Sequence, residues 1–238
     1  MEIKGVREVT FIDWPGKIAA IIFLNRCNLR CRYCHNPELA LGMRNQSLPP
    51  AYVLAKLHTK KDWLTGIIIS GGEPTLHKDL VEFCRDIRTY LEMDIKLDTN
   101  GTNPDLLEIL LKEQLIDKVS MDVKAPLSNP ELYKAITKSH IDTTQIEKSI
   151  NLVCDAGIQH EFRTTVAPLF LSEQNILEIV QELNCICGRI QEYTIQNFRM
   201  GITLDPDVKD TKPYDMDILT KLQDTIMNKY DVGKCNLK

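Results

Sequence analysis

Hydrophobic and polar positions divide this chain into two kinds of segment. Short apolar runs rich in β-branched residues predict buried strands, which cover residues 17–24, 64–70, 94–98, 116–123, 158–166 and 190–195. Longer segments with apolar residues at helical spacing predict amphipathic helices, which cover residues 51–58, 79–91, 104–112, 143–156, 172–183 and 214–230. Strands and helices that alternate with short connections indicate βα units, and the sequence therefore predicts an α/β fold on a parallel sheet.

Length and composition are those of one folded domain. The chain has 238 residues, of which 43% are hydrophobic and 26% charged, and these values are typical of globular proteins rather than disordered ones. No low-complexity tract or long Pro, Gly or Ser linker marks a boundary. We therefore expect a single domain over residues 1–238, with a core of about 11–200 and a C-terminal segment, 201–238, that is predicted to be helical.

Charge and hydropathy argue against two classes of partner. The net charge is −4, and Lys and Arg residues are scattered between acids, so the basic patch expected of a nucleic-acid-binding protein is missing. The longest purely apolar run, 18–24, is far too short to span a bilayer, and the N-terminus lacks the apolar stretch of a secretory signal. We expect a cytoplasmic protein with no nucleic-acid or membrane partner.

Chemically distinctive residues follow the predicted strands. In parallel sheets of this kind, binding and catalysis gather at the carboxyl ends of the strands. Taken in strand order, the residues at these ends are Cys27, Cys31 and Cys34; Gly71, Gly72, Glu73 and Pro74; Asp98; Asp122 and Lys124; and, after the sixth strand, Arg199, while Arg163 lies within the fifth strand. The pattern therefore predicts a functional site at this end of the sheet.

Three of the eight cysteines, Cys27, Cys31 and Cys34, lie on one short loop. In a reducing cytosol, clustered thiols more often mark a metal or redox site than a disulfide framework. A [4Fe–4S] cluster is usually held by four cysteines, so three local ligands leave one iron open for substrate. The alternative is a Cys₃His zinc site with His35 as fourth ligand, although adjacent residues such as Cys34 and His35 rarely close on one metal.

The other cysteines are dispersed along the chain. Cys84 and Cys154 lie on predicted helices, and we expect them to be small core residues. Cys185 and Cys187 are one residue apart with no further cysteine pair nearby, so a second cluster is not expected.

The cysteine loop resembles a known signature. Cys-x₃-Cys-x₂-Cys, with Tyr33 directly before the last cysteine, is similar to the motif of the radical S-adenosylmethionine (SAM) superfamily. The string from Cys27 to Glu38 resembles that of glycyl-radical-enzyme activases within it. Upstream, the string from Phe11 to Lys17 resembles the longer activating proteins of anaerobic ribonucleoside-triphosphate reductases. The resemblance covers most of the chain, from about Phe11 through Arg199.

This resemblance implies a fold and a reaction. The fold would be a partial (β/α)₆ barrel with one [4Fe–4S] cluster at its top. SAM would chelate the open iron, and one electron from the reduced cluster would cleave its C–S bond to methionine and a 5′-deoxyadenosyl radical. That radical would take hydrogen from a glycine of a large glycyl-radical enzyme, the anaerobic reductase. The protein would be an oxidoreductase that receives electrons from a reduced flavodoxin- or ferredoxin-type donor.

The resemblance also implies roles for the remaining strand-end residues. Tyr33 and the Gly71-Gly72-Glu73-Pro74 motif would belong to the SAM site, with the glycine loop facing the methionine amino group and Glu73 holding that loop. Asp98 and Asp122 would face the amino group, Lys124 the carboxylate, and Arg163 the ribose or carboxylate. Arg199 lies near the position of a His in some activases, which leaves its role open. From the residues alone, ordinary turns and internal salt bridges remain alternatives for these positions.

Two other functions remain open at this stage. One is a different radical reaction with the same cofactor, either on another glycyl-radical enzyme or on a small molecule, such as deazapurine ring contraction. The other is a zinc-stabilised binding module without catalysis. The acidic and basic residues Asp98, Asp122 and Lys124 argue against it, because a structural zinc site does not need them.

Overall fold

Eight strands form one sheet in the computed structural model, which describes residues 1–43 and 46–238. They follow one another in chain order across the sheet, as β1 (Ile3–Thr10), β2 (Ala19–Leu24), β3 (Gly66–Gly71), β4 (Asp94–Thr99), β5 (Lys118–Asp122), β6 (Gln159–Val166), β7 (Ile190–Asn197) and β8 (Val232–Leu237). Strands β2 to β8 are parallel, and β1 pairs antiparallel to β2. The first and last strands do not pair in the described residues, so the barrel is partial, as predicted.

Helices connect most of the parallel strands. They are α1 (Pro37–Ala40), α2 (Pro50–His58), α3 (Leu80–Asp86), α4 (Pro104–Lys112), α5 (Pro130–Thr137), α6 (Thr143–Asp155), α7 (Glu173–Cys187) and α8 (Met216–Lys229). Side chains cap several of them; Ser172 and Asn175, for example, form a reciprocal capping box at the start of α7. None of the described helices is both long and apolar enough to cross a membrane.

The six predicted strands correspond to β2 through β7, and the predicted helices are all present with small shifts at their ends. The helix predicted over 79–91 changes its hydrogen bonding at Ile87 and ends as a π-helical turn, Ile87–Leu91. Sequence reasoning missed four elements: β1, β8, α1 and α5. The prediction of a helical C-terminal segment was therefore incomplete, because β8 follows α8 and extends the sheet beside β7. On the strength of this continuous sheet, we propose that residues 1–238 form one domain.

The two faces of the strands have different characters. In β4, Ile95 and Leu97 belong to the main core that the outer helices cover, and the alternating Lys96 and Asp98 lie on the opposite, inner face. From β4 to β7 the inner face is polar and largely buried. Glu161 on β6, for example, accepts hydrogen bonds from hydroxyl groups on both neighbouring strands. This part of the barrel interior is therefore a hydrogen-bonded charge network, whereas the inner face of β2 and β3 carries the apolar residues Ile21 and Ile68.

The segment before β2 lies at the amino end of the barrel. Trp14 is buried in a small cluster with Ala19, Ile21 and Ile68, and its ring covers Gly66 so closely that an added Cβ there would be 3.0 Å away. Ala19 and Gly66 are the first residues of β2 and β3. The string from Phe11 to Lys17 is thus at the opposite end of the barrel from the cysteine loop.

One prediction about the cysteines was wrong. Cys154, at the end of α6, is not a free core residue, since it forms a disulfide with Cys187, at the end of α7, across a Cα–Cα distance of 5.4 Å. The two helices pack side by side on the outside of the sheet, which brings residues 33 apart in sequence within bonding distance. Cys84 is fully buried on α3, as expected.

Candidate functional site

A cavity of about 270 Å³ opens at the carboxyl ends of the strands. Nearly all of the predicted site residues line it, namely Cys27, Cys31, Tyr33, Cys34, Gly71, Gly72, Glu73, Asp98, Asp122, Lys124 and Arg163. Pro74 is buried at the start of a 3₁₀ turn and is outside the lining, and Arg199 is exposed and outside it as well. A larger cavity, about 460 Å³, opens at the other end of the barrel near Lys118 and Glu192 and contains none of the predicted residues.

The cysteine loop is held by two of the helices that sequence reasoning missed. The backbone N–H of Cys27 donates to the carbonyl of Ala40 in α1 over 3.1 Å. Farther along the loop, Arg30 and Arg32 donate their backbone N–H groups to the carbonyls of Thr137 and Ile136 at the end of α5, over 2.9 and 3.0 Å. These bonds fix the path of the loop independently of any ligand.

A segment after β7, residues 198–205, lies across the cysteine loop, and we call it the strap. The backbone N–H groups of Leu204 and Asp205 donate to the carbonyls of Cys34 and Arg32, both over 3.0 Å. The Asp205 carboxylate also accepts a 2.6 Å hydrogen bond from the Arg32 guanidinium, which stacks on the ring of Phe170. The segment for which the sequence offered no motif therefore closes one side of the site.

The three thiols share the cavity in a setting that suits a metal. Burial, the largest cause, raises the pKa of Cys27 to about 12, and it also raises the pKa of Cys31. Thiolates in such surroundings need a strong cation beside them, and metal binding supplies it. No three His, Cys, Asp or Glu side chains in the described residues converge as ligands of a single ion. The three thiols that line this cavity are nevertheless of the donor type that holds iron–sulfur clusters.

Gly71 and Gly72 bring the end of β3 against the cysteine loop. Gly71 has a φ of +120°, and a Cβ added there would be 2.3 Å from the carbonyl oxygen of Leu24. At Gly72 an added Cβ would be only 1.9 Å from the carbonyl oxygen of Arg26. Both positions therefore require glycine, and the close approach that demands it is to the backbone of the neighbouring strand and loop.

Glu73 is buried in the cavity wall and ties two loops together. Its carboxylate accepts hydrogen bonds from the backbone and hydroxyl of Thr75, from the hydroxyl of Thr99 at 2.7 Å and from the backbone N–H of Asn100 at 2.7 Å. Burial raises the pKa of Glu73, although these four donors favour the carboxylate. This geometry agrees with the expectation that Glu73 holds the loop.

A line of alternating charges crosses the cavity wall. Arg163 lies between two acids, with its Nε donating to Asp122 over 2.8 Å and its Nη1 3.3 Å from Asp98. Asp122 is also 3.5 Å from the Nζ of Lys124. Burial by itself would lower the pKa of Lys124, but Asp122 and Cys31 raise it well above its ordinary value. The internal salt bridges that the sequence left open are thus present, and they line the cavity.

Two buried polar atoms in the cavity wall have no hydrogen-bond partner among the described residues. They are the Oδ1 of Asp98 and the hydroxyl of Tyr33. Burial would raise the pKa of Asp98, but Arg163 and Lys96 lower it, so the group is a carboxylate. The Oδ1 atom lies 3.3 Å from the Lys96 ammonium and 3.3 Å from the Arg163 guanidinium without hydrogen-bond geometry, so it can still accept a hydrogen bond from a further donor such as an ammonium group. The residues present therefore fit the amino group of a bound SAM molecule.

Sequence reasoning missed several residues of this wall. Asn100 donates to Asn28 over 3.0 Å and has its amide nitrogen 3.7 Å from the sulfur of Cys27. Thr165 and Gln196 line the cavity together and form a 3.3 Å hydrogen bond. A signal was available for Thr165, because it follows Arg163 by two residues and residues at that spacing on a strand share a face. Ser70, Thr99, His35 and Asn36 complete the lining.

Comparisons with known sequences give consistent matches. Residues 21–184 match the sequence model of the Radical SAM superfamily. Over 198 residues the chain is 33% identical to a protein of Methanocaldococcus jannaschii named a glycyl-radical enzyme activating enzyme, covering 80% of this chain and 79% of that protein. It is also 25% identical, over 236 residues, to the pyruvate formate-lyase-activating enzyme of Clostridium pasteurianum, covering 93% and 94% of the two chains.

A comparison of folds agrees with the sequence matches. The crystal structure of SuiB from Streptococcus suis bound to S-adenosylmethionine superimposes with a TM-score of 0.69 at 18% identity. The match covers 91% of this chain but only 51% of SuiB, so this chain spans about half the length of that enzyme. At this identity the likeness establishes the shared barrel fold.

Proposed function

Because this chain belongs to the radical SAM superfamily and is an oxidoreductase-type enzyme, we propose that it activates a glycyl-radical enzyme, the anaerobic ribonucleoside-triphosphate reductase. The observation that carries the proposal is the shared cavity, in which three loop thiols face the charged line from Asp98 to Lys124. The named function of the M. jannaschii relative supports the activase class. The resemblance of residues 11–17 to reductase activators supports the particular partner.

Cys27, Cys31 and Cys34 would hold a [4Fe–4S] cluster, and the cluster would supply one-electron reductive cleavage of SAM. The contribution of the protein is to bind, orient and shield. Bonds to α1, α5 and the strap hold the loop in place, so the thiols are presented on a fixed backbone. Cys31 is only 8% exposed, so the surrounding protein would keep water away from this side of the metal site.

The charged line is suited to a zwitterionic amino acid group. The Oδ1 of Asp98, which accepts no hydrogen bond from the described residues, would accept one from the SAM ammonium, with Asp122 nearby. Lys124 and Arg163 would bind the carboxylate of SAM. Each of these cations already forms an ion pair with Asp122, and each has further N–H groups that could donate to a second anion. Groups of both signs in one buried wall fix the orientation of the ligand as well as its affinity.

Exposed apolar side chains lie on the loops after β6 and β7, at the end of the barrel where the cavity opens. Leu169, Met200 and Ile202 are 56%, 60% and 73% exposed. We propose that the glycine-bearing segment of the large partner approaches from this side, and that a reduced flavodoxin- or ferredoxin-type protein supplies the electron.

The second candidate function is activation of another glycyl-radical enzyme. It is favoured by the match, along nearly the whole chain, to a pyruvate formate-lyase-activating enzyme.

The test begins with anaerobic reconstitution with iron and sulfide, dithionite reduction, and an assay for 5′-deoxyadenosine formed from SAM. We expect about four irons per chain and product formation, both lost in Cys31→Ala. Cys185→Ala is the matched control, because Cys185 is exposed on α7 outside the cavity. Product absent from a wild-type chain that holds the irons would refute the proposed chemistry.

The partner is tested separately, by electron paramagnetic resonance after mixing with candidate enzymes. A glycyl-radical signal on the anaerobic reductase, and none on pyruvate formate-lyase, is the expected result. The reverse pattern would replace the proposed partner with the second candidate and leave the activase function intact.

A further inference from the structure

Lys96 is a buried cation that the reaction described above does not use. Its side chain is 3% exposed and lies on the inner face of β4, two residues before Asp98. The Nζ atom is 3.3 Å from the Oδ1 of Asp98 and donates a 2.8 Å hydrogen bond to the carbonyl of Asp13. Burial, the largest cause, lowers the pKa of Lys96, and Asp98 opposes that change. An ammonium group in this position is costly, so its partners matter.

The Asp13 carbonyl is a fixed acceptor because its segment is anchored at several points. Trp14 is buried against Gly66, and its carbonyl accepts from the backbone N–H of Lys17 over 3.0 Å. The Lys17 ammonium forms an ion pair with Asp94 at the start of β4. The segment 11–17, which resembles reductase activators and lies far from the cysteine loop, thus supplies one of the two partners that Lys96 has among the described residues.

Asp98 in turn depends on the cations beside it. Its Oδ1 has Lys96 and Arg163 at 3.3 Å on two sides, and neither contact has hydrogen-bond geometry. Without Lys96, Arg163 would be the remaining ion-pair partner, and Arg163 is already bonded to Asp122 at 2.8 Å. The carboxylate would then be free to turn toward Arg163 and away from the open cavity.

We propose that Lys96 is a positioning residue for Asp98, and that the segment 11–17 acts through Lys96 on the SAM-binding carboxylate at the other end of the barrel. This inference rests on the proposed function, because it assigns Asp98 to the ammonium group of SAM. The segment is then an internal support of the cofactor site, and the side chain of Lys96 links it to Asp98.

The neighbouring strand offers a matched control. Lys118 is opposite Lys96 in the β4–β5 register and is equally buried, but it pairs with Glu192 at 3.0 Å instead of with Asp98. Lys96→Met and Lys118→Met each remove one buried ammonium from the same layer of the barrel. A general effect of losing a buried charge should therefore appear in both variants, and a specific effect on Asp98 only in the first.

The experiment measures SAM binding to the reconstituted proteins by equilibrium dialysis. We expect Lys96→Met to raise the Kd about tenfold, equivalent to about 1.4 kcal/mol, and Lys118→Met to change it less than twofold. In Asp98→Asn, the added Lys96→Met change should have little further effect, because both changes act on one group. A SAM analogue that lacks the α-amino group should bind wild type and Lys96→Met equally.

The outcomes separate the two proposals. A wild-type protein that holds its irons and neither binds nor cleaves SAM would refute the proposed function itself. If wild type binds SAM and Lys96→Met binds it equally, or if Lys118→Met weakens binding as much, the positioning role is overturned and the proposed function stands. Lys96→Gln, which keeps a donor for the Asp13 carbonyl but removes the charge, is measured in parallel in case Lys96→Met does not fold. SAM binding equal to wild type in Lys96→Gln, or equal weakening in Lys118→Met, would likewise overturn the positioning role.

Discussion

Replacing Gly72 with Ala should displace the cysteine loop, because no room exists for a methyl group at this position. The added Cβ would be 1.9 Å from the carbonyl oxygen of Arg26 and 3.1 Å from the backbone nitrogen of Cys27. A normal contact needs more than 3 Å, so one backbone must move by over 1 Å. That movement would disturb the 2.8 Å hydrogen bond from the backbone N–H of Glu73 to Arg26.

The expected magnitude combines two effects. Overpacking a rigid site costs about 1–3 kcal/mol, and a weakened backbone hydrogen bond adds about 0.5–1.5 kcal/mol. We therefore expect Gly72→Ala to lower the free energy of unfolding by about 2–4 kcal/mol. Because Cys27 follows Arg26 directly, the variant should also retain less iron after reconstitution than wild type.

Urea unfolding and iron content per chain are the two measurements. Gly5→Ala on β1 is the control, because an added Cβ there would meet only a carbon of Phe23 at 4.0 Å. The control should be within about 1 kcal/mol of wild type and hold its full iron content. Gly72→Ala could instead match the control in both measurements. That result would show that the contact between the end of β3 and the cysteine loop does not determine the position of Cys27.

Three further predictions concern the strap, the disulfide and the barrel interior. Asp205→Ala removes the ion pair between strap and cysteine loop, so cluster absorbance should decay faster in air than in wild type or in Asp210→Ala, an exposed control. Reducing the Cys154–Cys187 disulfide should lower the free energy of unfolding by about 2–4 kcal/mol, measured by urea unfolding with and without dithiothreitol. A Cys154→Ser variant whose stability still fell on addition of reductant would contradict this prediction. For Glu161, burial raises the pKa, but Arg163 and hydroxyl donors lower it to about 2. A depressed pKa stabilises the fold above the unfolded value of about 4.3, so wild type should lose stability on acidification toward pH 2 more steeply than Glu161→Gln.

The predicted site residues converge because strand periodicity is a local property. Arg163 and Thr165 share the inner face simply because they are two residues apart on β6, and Lys124 follows the last residue of β5, Asp122, by the same spacing. Neighbouring parallel strands then bring their carboxyl ends to one edge. A sequence pattern can therefore predict which residues meet, and here the predicted residues make up 11 of the 18 that line the cavity.

The pattern was less informative where short or two-sided elements are concerned. Strand β1 is half-exposed, with a mixed burial pattern, and α1 has only four residues. Neither presents the long apolar period that identifies an element in sequence. The disulfide between Cys154 and Cys187 was missed for a related reason, since only the packing of α6 against α7 brings these cysteines together.

By itself, then, the sequence determined the alternation of strands and helices, the three-thiol loop and the set of charged residues at the strand ends. These follow from the spacing of neighbours along the covalent chain. Only the tertiary structure decided how the charges pair, that the strap closes over the cysteine loop, and that the segment 11–17 touches Lys96 from the opposite end of the barrel. Those contacts join residues up to 173 positions apart, and they depend on which strands become neighbours and where each loop returns across the sheet.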